Sequence, residues 1–517
     1  MSVPLSRRSF LRRAGMCLGA AALAPARLAR AAAPKRLNVL LMTMDDLNCD
    51  SVGAWGCKTP DITPNIDRLA REGMRFGRAH VTIAVCQPCR SALMTGRYPH
   101  RSGGEGFHRI TKDVPTLWEE LARAGYATGI LGKAGHSTPK ASIKQDMYLD
   151  MGQLGRGRDP SLYHKHALQF MSQAAKDGRP FFLMANSHDP HRPFSGSDQE
   201  KGAFGGAAVT PPSRTYSPGE VEVPGFLAEL PEVRREIAEY YSSVRRCDDT
   251  TGAVLRALKE SGREGDTLVI FLSDHGMPLP FAKTNCYLHS TRTPLIVRWP
   301  GKVKPGSVEA EHFVSGIDMM PTILEAAGLP RPEGMDGFGF LPLLSGGKQA
   351  GRERVFTQFH QTSGRGRFPM RCVQDARFGY LFSPWSDGQR VFRNESQSGR
   401  TMKAMAAAAK DDPKVAARVK LFLYRKVEEL YDLKADPDCL HDLIGDPKCS
   451  KEADRLRGEL EAWMRRTEDP ALEALLHRDD PEALAKFMAA QNAAARAVGG
   501  GAGAGRKNNK KKADSRR

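Results

Sequence analysis

Four short apolar runs in this chain stop at side chains that carry charge or a titratable ring. Leu37–Thr43 (LNVLLMT) leads to Asp45-Asp46, Ala127–Gly132 to Lys133, Pro180–Ser187 (PFFLMANS) to His188, and Thr267–Ser273 (TLVIFLS) to Asp274-His275. Runs this short, without polar alternation, are the mark of strands buried on both faces. Segments with helical spacing over 64–73, 115–125, 161–176 and 231–261 separate them, so the pattern predicts an α/β domain with helices flanking a mostly parallel sheet. Open sheets of this kind hold ligands beyond the C-terminal ends of their strands, and the polar residues named above would meet there.

A further strand is expected at 293–300, and a break in the 231–261 helix is expected near Gly252. A helix over 321–328 and the Pro/Gly-rich 329–347 close the large domain. A smaller α+β region follows from about 352 to 470, with short apolar runs at 377–382 and 428–433, then a terminal helix over 482–498. The organisation expected is a leader over 1–33, a large α/β domain over 34–350, an α+β subdomain over 351–480, and a helix with a basic tail over 481–517.

The formal charge of +18 invites a nucleic-acid reading, but its placement argues against one. Six arginines and no acid lie in 1–33, and seven Lys/Arg against Asp514 lie in 506–517, so the two ends hold two thirds of the excess. The folded body is modestly basic, which suits an anionic substrate. The Gly/Ala-then-Lys/Arg tail cannot bury a core and reads as a solvated end.

Ser6-Arg7-Arg8-Ser9-Phe10-Leu11-Arg12-Arg13 precedes a short Ala/Leu-rich run and Ala31-Ala32-Ala33. This looks like a twin-arginine export signal with a small-residue cleavage site. The apolar run is too short for a transmembrane anchor. A periplasmic or secreted protein, carried folded by the twin-arginine translocase, is expected. Without Cys17 and Cys86 eight cysteines remain, an even number that permits disulfides but fixes no pairing.

The segment Cys86-Gln87-Pro88-Cys89-Arg90, closed by Thr95-Gly96, resembles the signature of the type I, formylglycine-dependent sulfatases. The competing readings are a buried turn and a Cys-x-x-Cys redox dithiol; Pro88 and the Thr-Gly ending speak against the dithiol. The likeness runs from Asn38 to about Pro470. Arg179–Leu183 with His188–Arg192, Thr267–Phe271 and Phe368–Gln374 are similar to the N-sulfoglucosamine sulfohydrolases (heparan N-sulfatases) within that family.

The resemblance implies an alkaline-phosphatase-like large domain and a divalent metal, calcium by choice, held by Asp45, Asp46, Asp274 and His275. His275 stands where Asn is common, and an imidazole is less typical for a cation that prefers oxygen. The resemblance also implies that a maturation enzyme converts Cys86 to formylglycine. One hydroxyl of its hydrate would attack sulfur, and the other would later expel sulfate. Arg90 would stabilise that diol, Lys133 and Lys283 would contact sulfate, His136 would partner the nucleophile, and His188 would protonate the leaving group. Gly-Lys-Ala-Gly-His has one residue more between Lys133 and His136 than the family commonly shows. His191 and Arg192 would read an acidic sugar. The implied substrate is a sulfated glycan, foremost the N-sulfate of terminal glucosamine. A glycan O-sulfatase, a phosphate or phosphonate ester hydrolase of the same superfamily, and an inactive glycan-binding protein are the alternatives.

Overall fold

The computed structural model describes residues 36–204 and 209–495. The leader expected over 1–33 and the basic tail lie outside the described residues.

In chain order the strands are β1 (Asn38–Asp45), β2 (Met74–Phe76), β3 (Ala79–His80), β4 (Ala127–Leu131), β5 (Met147–Leu149), β6 (Phe181–Pro190), β7 (Thr267–Ser273), β8 (Leu295–Arg298), β9 (Ser307–Glu309), β10 (Val314–Ser315), β11 (Arg354–Gln361), β12 (Arg367–Asp375), β13 (Phe378–Phe382) and β14 (Glu428–Asp432). Eight of them make one sheet in the order β5-β4-β6-β1-β7-β8-β2-β9. The first five run parallel, whereas β8 is antiparallel to both β7 and β2. This is the mixed, mostly parallel sheet expected. All residues of β1, β6 and β7 are buried, so neither face has room for a polar alternation. Leu40 lies opposite Leu183 on one side and Val269 on the other. The β1–β6 register shifts between Met44 and Asp45, and such a bulge re-aims a side chain at the strand's end.

Helices Pro160–Lys176 and Pro231–Glu260 pack against each other, and the longer one also lies on β6. The longer helix runs unbroken through Gly252, contrary to the break expected there. A Cβ on Gly252 would sit 2.6 Å from the Asn65 side chain, so this glycine admits a neighbouring element rather than a kink. That neighbour is helix Pro64–Glu72. One turn before Gly252, Asp248 accepts the backbone N–H groups of Asn65 (3.0 Å) and Ile66 (2.8 Å), capping the shorter helix from across the interface.

Strands β11 to β14 form a second, wholly antiparallel sheet. Helix Ser450–Arg466 packs on β12 and β13, burying Leu456, Leu460 and Trp463 against Tyr380 and Leu430. Phe359, Phe368 and Met370 of this second sheet belong to the same apolar core as β1 and β7. Residues 481–495 are helical, at the expected terminal position. Among the described residues no helix is long and apolar enough to cross a membrane, and all nine described cysteines are unpaired.

Candidate active site

Cys86 opens helix Cys86–Thr95, and the spacing of its motif is one helical turn. Residues four apart lie on one face, so Arg90 projects beside Cys86. Pro88 falls in the first turn, where a missing N–H costs nothing. Gly96 ends the helix in the left-handed conformation (φ 61°), its N–H bonded to the carbonyl of Ala92 at 3.0 Å.

Every residue of this helix is buried, Arg90 completely. Its guanidinium grips Asp274 Oδ2 through Nε (3.1 Å) and Nη2 (2.8 Å), and Nη1 donates to Asn186 Oδ1 (2.7 Å) and Thr43 Oγ1 (2.5 Å). Asn186 in turn donates to the carbonyls of Leu131 and Gly132, joining the ends of β6 and β4. Arg90 therefore clamps strand ends together. Its contact with residue 86 is by proximity, since Cys86 Sγ is bonded instead to Asp45 Oδ1 (3.4 Å) and His275 Nε2 (3.5 Å).

Asp45, Cys86, Asp274 and His275 place one ligand atom each within 4.8 Å of one another, and Asp45, Asp46 and His191 do the same. His275 Nε2 lies 3.3 Å from Asp46 Oδ1 and 3.5 Å from Asp274 Oδ1. Its Nδ1 faces the Gly276 carbonyl at 3.0 Å; a proton there leaves the Nε2 lone pair free to coordinate. Oδ2 of Asp45 accepts no well-directed hydrogen bond, although Lys133 and Arg90 lie against it. Three carboxylates, of which Asp45 keeps one oxygen without a directed hydrogen bond, and the His275 imidazole fit a divalent cation.

The electrostatics follow from burial. Desolvation alone would raise the Asp45 carboxyl, but Lys133, His191 and Arg90 outweigh it and hold it well below the usual carboxylate range. Asp46 goes the other way: burial, with Asp45, Glu395 and Asp274 nearby, pushes it up despite Lys283. Burial and then Asp45 push the Cys86 thiol well above its ordinary value.

Lys133 ion-pairs with Asp45 and takes a left-handed backbone (φ 47°) directly after Gly132 (φ 70°), where a Cβ would meet the Asn186 carbonyl at 2.2 Å. Asp46 (φ 72°) and Thr284 (φ 62°) are also left-handed, so strained backbone gathers at this site. Lys283 bonds both oxygens of Asp46 (2.7 and 3.1 Å). His188 is buried against Gly157, its Nδ1 without a hydrogen-bond partner among the described residues; burial and Lys133 hold it well below an ordinary histidine.

His191 donates Nδ1–H to the Arg192 carbonyl at 2.6 Å, and burial and Lys133 lower it to about 3. The resemblance sets it beside substrate, and its imidazole is also grouped with Asp45 and Asp46. Arg192 forms an ion pair with Glu236 (2.6 Å) over the Phe194 ring, on the wall of a cavity of about 570 Å³. His136 stands edge-on to Phe107, lowered to about 4 by burial and Lys133, and no hydrogen bond joins it to Cys86. Thr43, Asn186 and Glu395, which pairs with Lys283, escaped the sequence reading. Only Asn186 gave a signal, as the last polar residue but one before His188 in its strand.

Residues 37–329 match the sulfatase family model. The chain belongs to the sulfatase family. It is 30% identical over 473 residues to human N-sulphoglucosamine sulphohydrolase, covering 84% of this chain and 91% of that protein. Among solved structures, one in complex with its substrate D-glucosamine-2-N,6-O-disulfate superposes with a TM-score of 0.63 at 19% identity, covering 84% of this chain and 99% of that one. The phosphonate monoester hydrolase of Agrobacterium radiobacter superposes with a TM-score of 0.59 at 20% identity, covering 84% and 96%. In this sulfatase the motif helix, two lysines and three aspartates converge at the C-terminal edge of β1, β4 and β7.

Proposed function

We propose that this sulfatase removes sulfate from sulfated glycans, and that its substrate is the N-sulfate of terminal glucosamine in heparan- or heparin-type saccharides. The observation that carries the reading is the position and state of Cys86. Its thiol is buried between Asp45 and His275, and its raised pKa keeps it protonated at neutral pH. A protonated thiol is a poor nucleophile, so residue 86 needs a different functional group for hydrolysis. Oxidation to formylglycine by a maturation enzyme, followed by hydration, would supply a hydroxyl there. A divalent cation held by Asp45, Asp46, Asp274 and His275 would supply positive charge to acidify that hydroxyl and draw in a sulfate oxygen.

The chain's own residues do the rest. Ionised Asp45, 3.4 Å from the atom that residue 86 presents, orients it and accepts a hydrogen bond. Lys133 and Lys283, both buried, neutralise the sulfate oxygens. His188, placed near the C-terminal end of β6, hands a proton to the departing amine nitrogen. Glucosamine N-sulfate is favoured by the likeness to the human sulphohydrolase, which covers nine tenths of that protein. Export by the twin-arginine translocase, already folded and modified, completes the reading.

The test is sulfate release by protein matured with a formylglycine-generating enzyme. N-sulfoglucosamine, glucosamine 6-sulfate, an iduronate 2-sulfate saccharide and 4-nitrophenyl phosphate form the panel. A kcat/KM at least about tenfold higher on N-sulfoglucosamine supports the reading. A preference for either O-sulfate makes the protein an O-sulfatase, and a preference for the phosphate overturns the sulfate assignment.

A further inference from the structure

Glu395 is a fourth carboxylate at the site, paired with Lys283. Asp45, Asp46 and Asp274 are already ion-paired with Lys133, Lys283 and Arg90. An additional negative group beside Lys283 weakens the attraction for an anionic sulfate, so it calls for a separate reason. Three observations supply one.

Glu395 does not come from a strand end of the large sheet. It begins a short 3-10 turn, Glu395–Ser398, contributed by the chain between the second sheet's β13 and β14. That turn is fixed at both ends. Phe392 is fully buried among Phe368, Trp385 and Phe422. Asn394 donates to Thr284, next to Lys283. At the far end the backbone N–H groups of Arg400 (3.1 Å) and Thr401 (2.7 Å) bond to Glu236, the same carboxylate that holds Arg192. A side chain held this way is positioned before any ligand arrives.

Glu395 is also the more exposed member of its pair with Lys283. Its side chain is 31% exposed, whereas that of Lys283 is 1% exposed and that of Asp46 is fully buried. Oε1 is out of solvent against Lys283, so the exposure lies on the rest of the side chain. Among the described residues no hydrogen bond reaches Oε2. Burial works against the carboxylate, but Lys283 and His191 outweigh it and hold it near 2, so it is ionised and can only accept.

We infer that Glu395 is a specificity-determining residue that accepts hydrogen bonds from the hydroxyl and amine groups of the sugar bearing the sulfate. A sulfate oxygen on Lys283 brings the sugar atoms next to the sulfate beside Glu395, and a carboxylate there selects donor-rich saccharides over aryl sulfates, which offer no donor. The inference rests on the proposed glycan sulfatase function and deepens it. It also explains why the second sheet is built against the first: it delivers the group that reads the leaving group.

The experiment compares Glu395→Ala and Glu395→Gln with the unaltered, matured enzyme on N-sulfoglucosamine and on 4-nitrophenyl sulfate. Thermal melts accompany the kinetics, and the isosteric Gln variant serves if the Ala variant fails to fold. For Glu395→Ala, KM for N-sulfoglucosamine should rise about tenfold or more, the scale of a lost hydrogen bond to a charged group. KM for 4-nitrophenyl sulfate should fall, because Lys283 loses a competing partner. Glu395→Gln should lie between on the sugar and resemble Ala on the aryl sulfate. KM values that move together on both substrates would reduce Glu395 to a tuner of Lys283 and overturn the inference while leaving the glycan sulfatase reading intact. An unaltered enzyme that cleaves the aryl sulfate but no sugar sulfate would instead overturn that reading, and this inference with it.

Discussion

A guanidinium with no solvent contact needs its donors matched by the fold, and Arg90 shows what that demands: Asp274, Asn186 and Thr43 from three different strands or strand ends. Replacing it with Ala leaves the Asp274 carboxylate buried beside unpaired polar groups, which should lower unfolding stability by about 3–5 kcal/mol in urea titrations. Lys in its place keeps the charge but cannot span Asp274 and Asn186, so most of that loss should remain. His188→Ala removes the proposed proton donor, and kcat should fall by about 10²–10⁴ on N-sulfoglucosamine. The fall should be smaller on 4-nitrophenyl sulfate, whose leaving group needs little protonation; equal losses on both would argue for a purely structural histidine. At this scale the sequence was legible where chemistry is local. Cys86 and Arg90 are one turn apart, and the aspartates end apolar runs. Thr43 and Glu395 were not legible, because their meaning lies in contacts to elements 47 and 112 residues distant.

Helices and strands were read from periodicity, and the elements that surround the site lie within a few residues of where the pattern puts them. Gly252 is the instructive exception. A glycine inside a helical pattern gives the same local signal whether it marks a break or admits a neighbour. Only the approach of helix Pro64–Glu72, with Asn65 against Gly252, decides between them. Gly252→Ala should therefore destabilise the protein by about 1–3 kcal/mol through overpacking, although alanine is the better helix former by about 1 kcal/mol. Urea denaturation measures the sign directly, and a stabilised variant would contradict the packing account. A matching loss is expected for Asp248→Ala, which removes the cap that Asp248 places on Asn65 and Ile66.

For the whole molecule, strand order was the least legible property. The sequence shows that β1, β4, β6 and β7 exist, but not that β1 lies between β6 and β7, since parallel neighbours are joined through long crossovers rather than turns. The assembled interior has a pH signature. His80 is held down to about 3 by burial and Arg292, and His360 well below its ordinary value by burial, Arg371 and Arg367. Both are neutral when folded and titrate near 6.5 when unfolded. Their contribution is thus complete above pH 6.5 and is lost as the pH falls below it. Together they should cost roughly 2 kcal/mol of unfolding stability between pH 6.5 and 5.5, measurable in urea, and a flat profile there would contradict their neutral burial. Residue 86 stands where the ends of the four neighbouring strands β4, β6, β1 and β7 converge. Mass spectrometry of the tryptic peptide carrying Cys86, from protein made alongside a formylglycine-generating enzyme, tests the account most directly. An aldehyde in place of the thiol is the predicted result; an intact thiol in protein that still releases sulfate would contradict it.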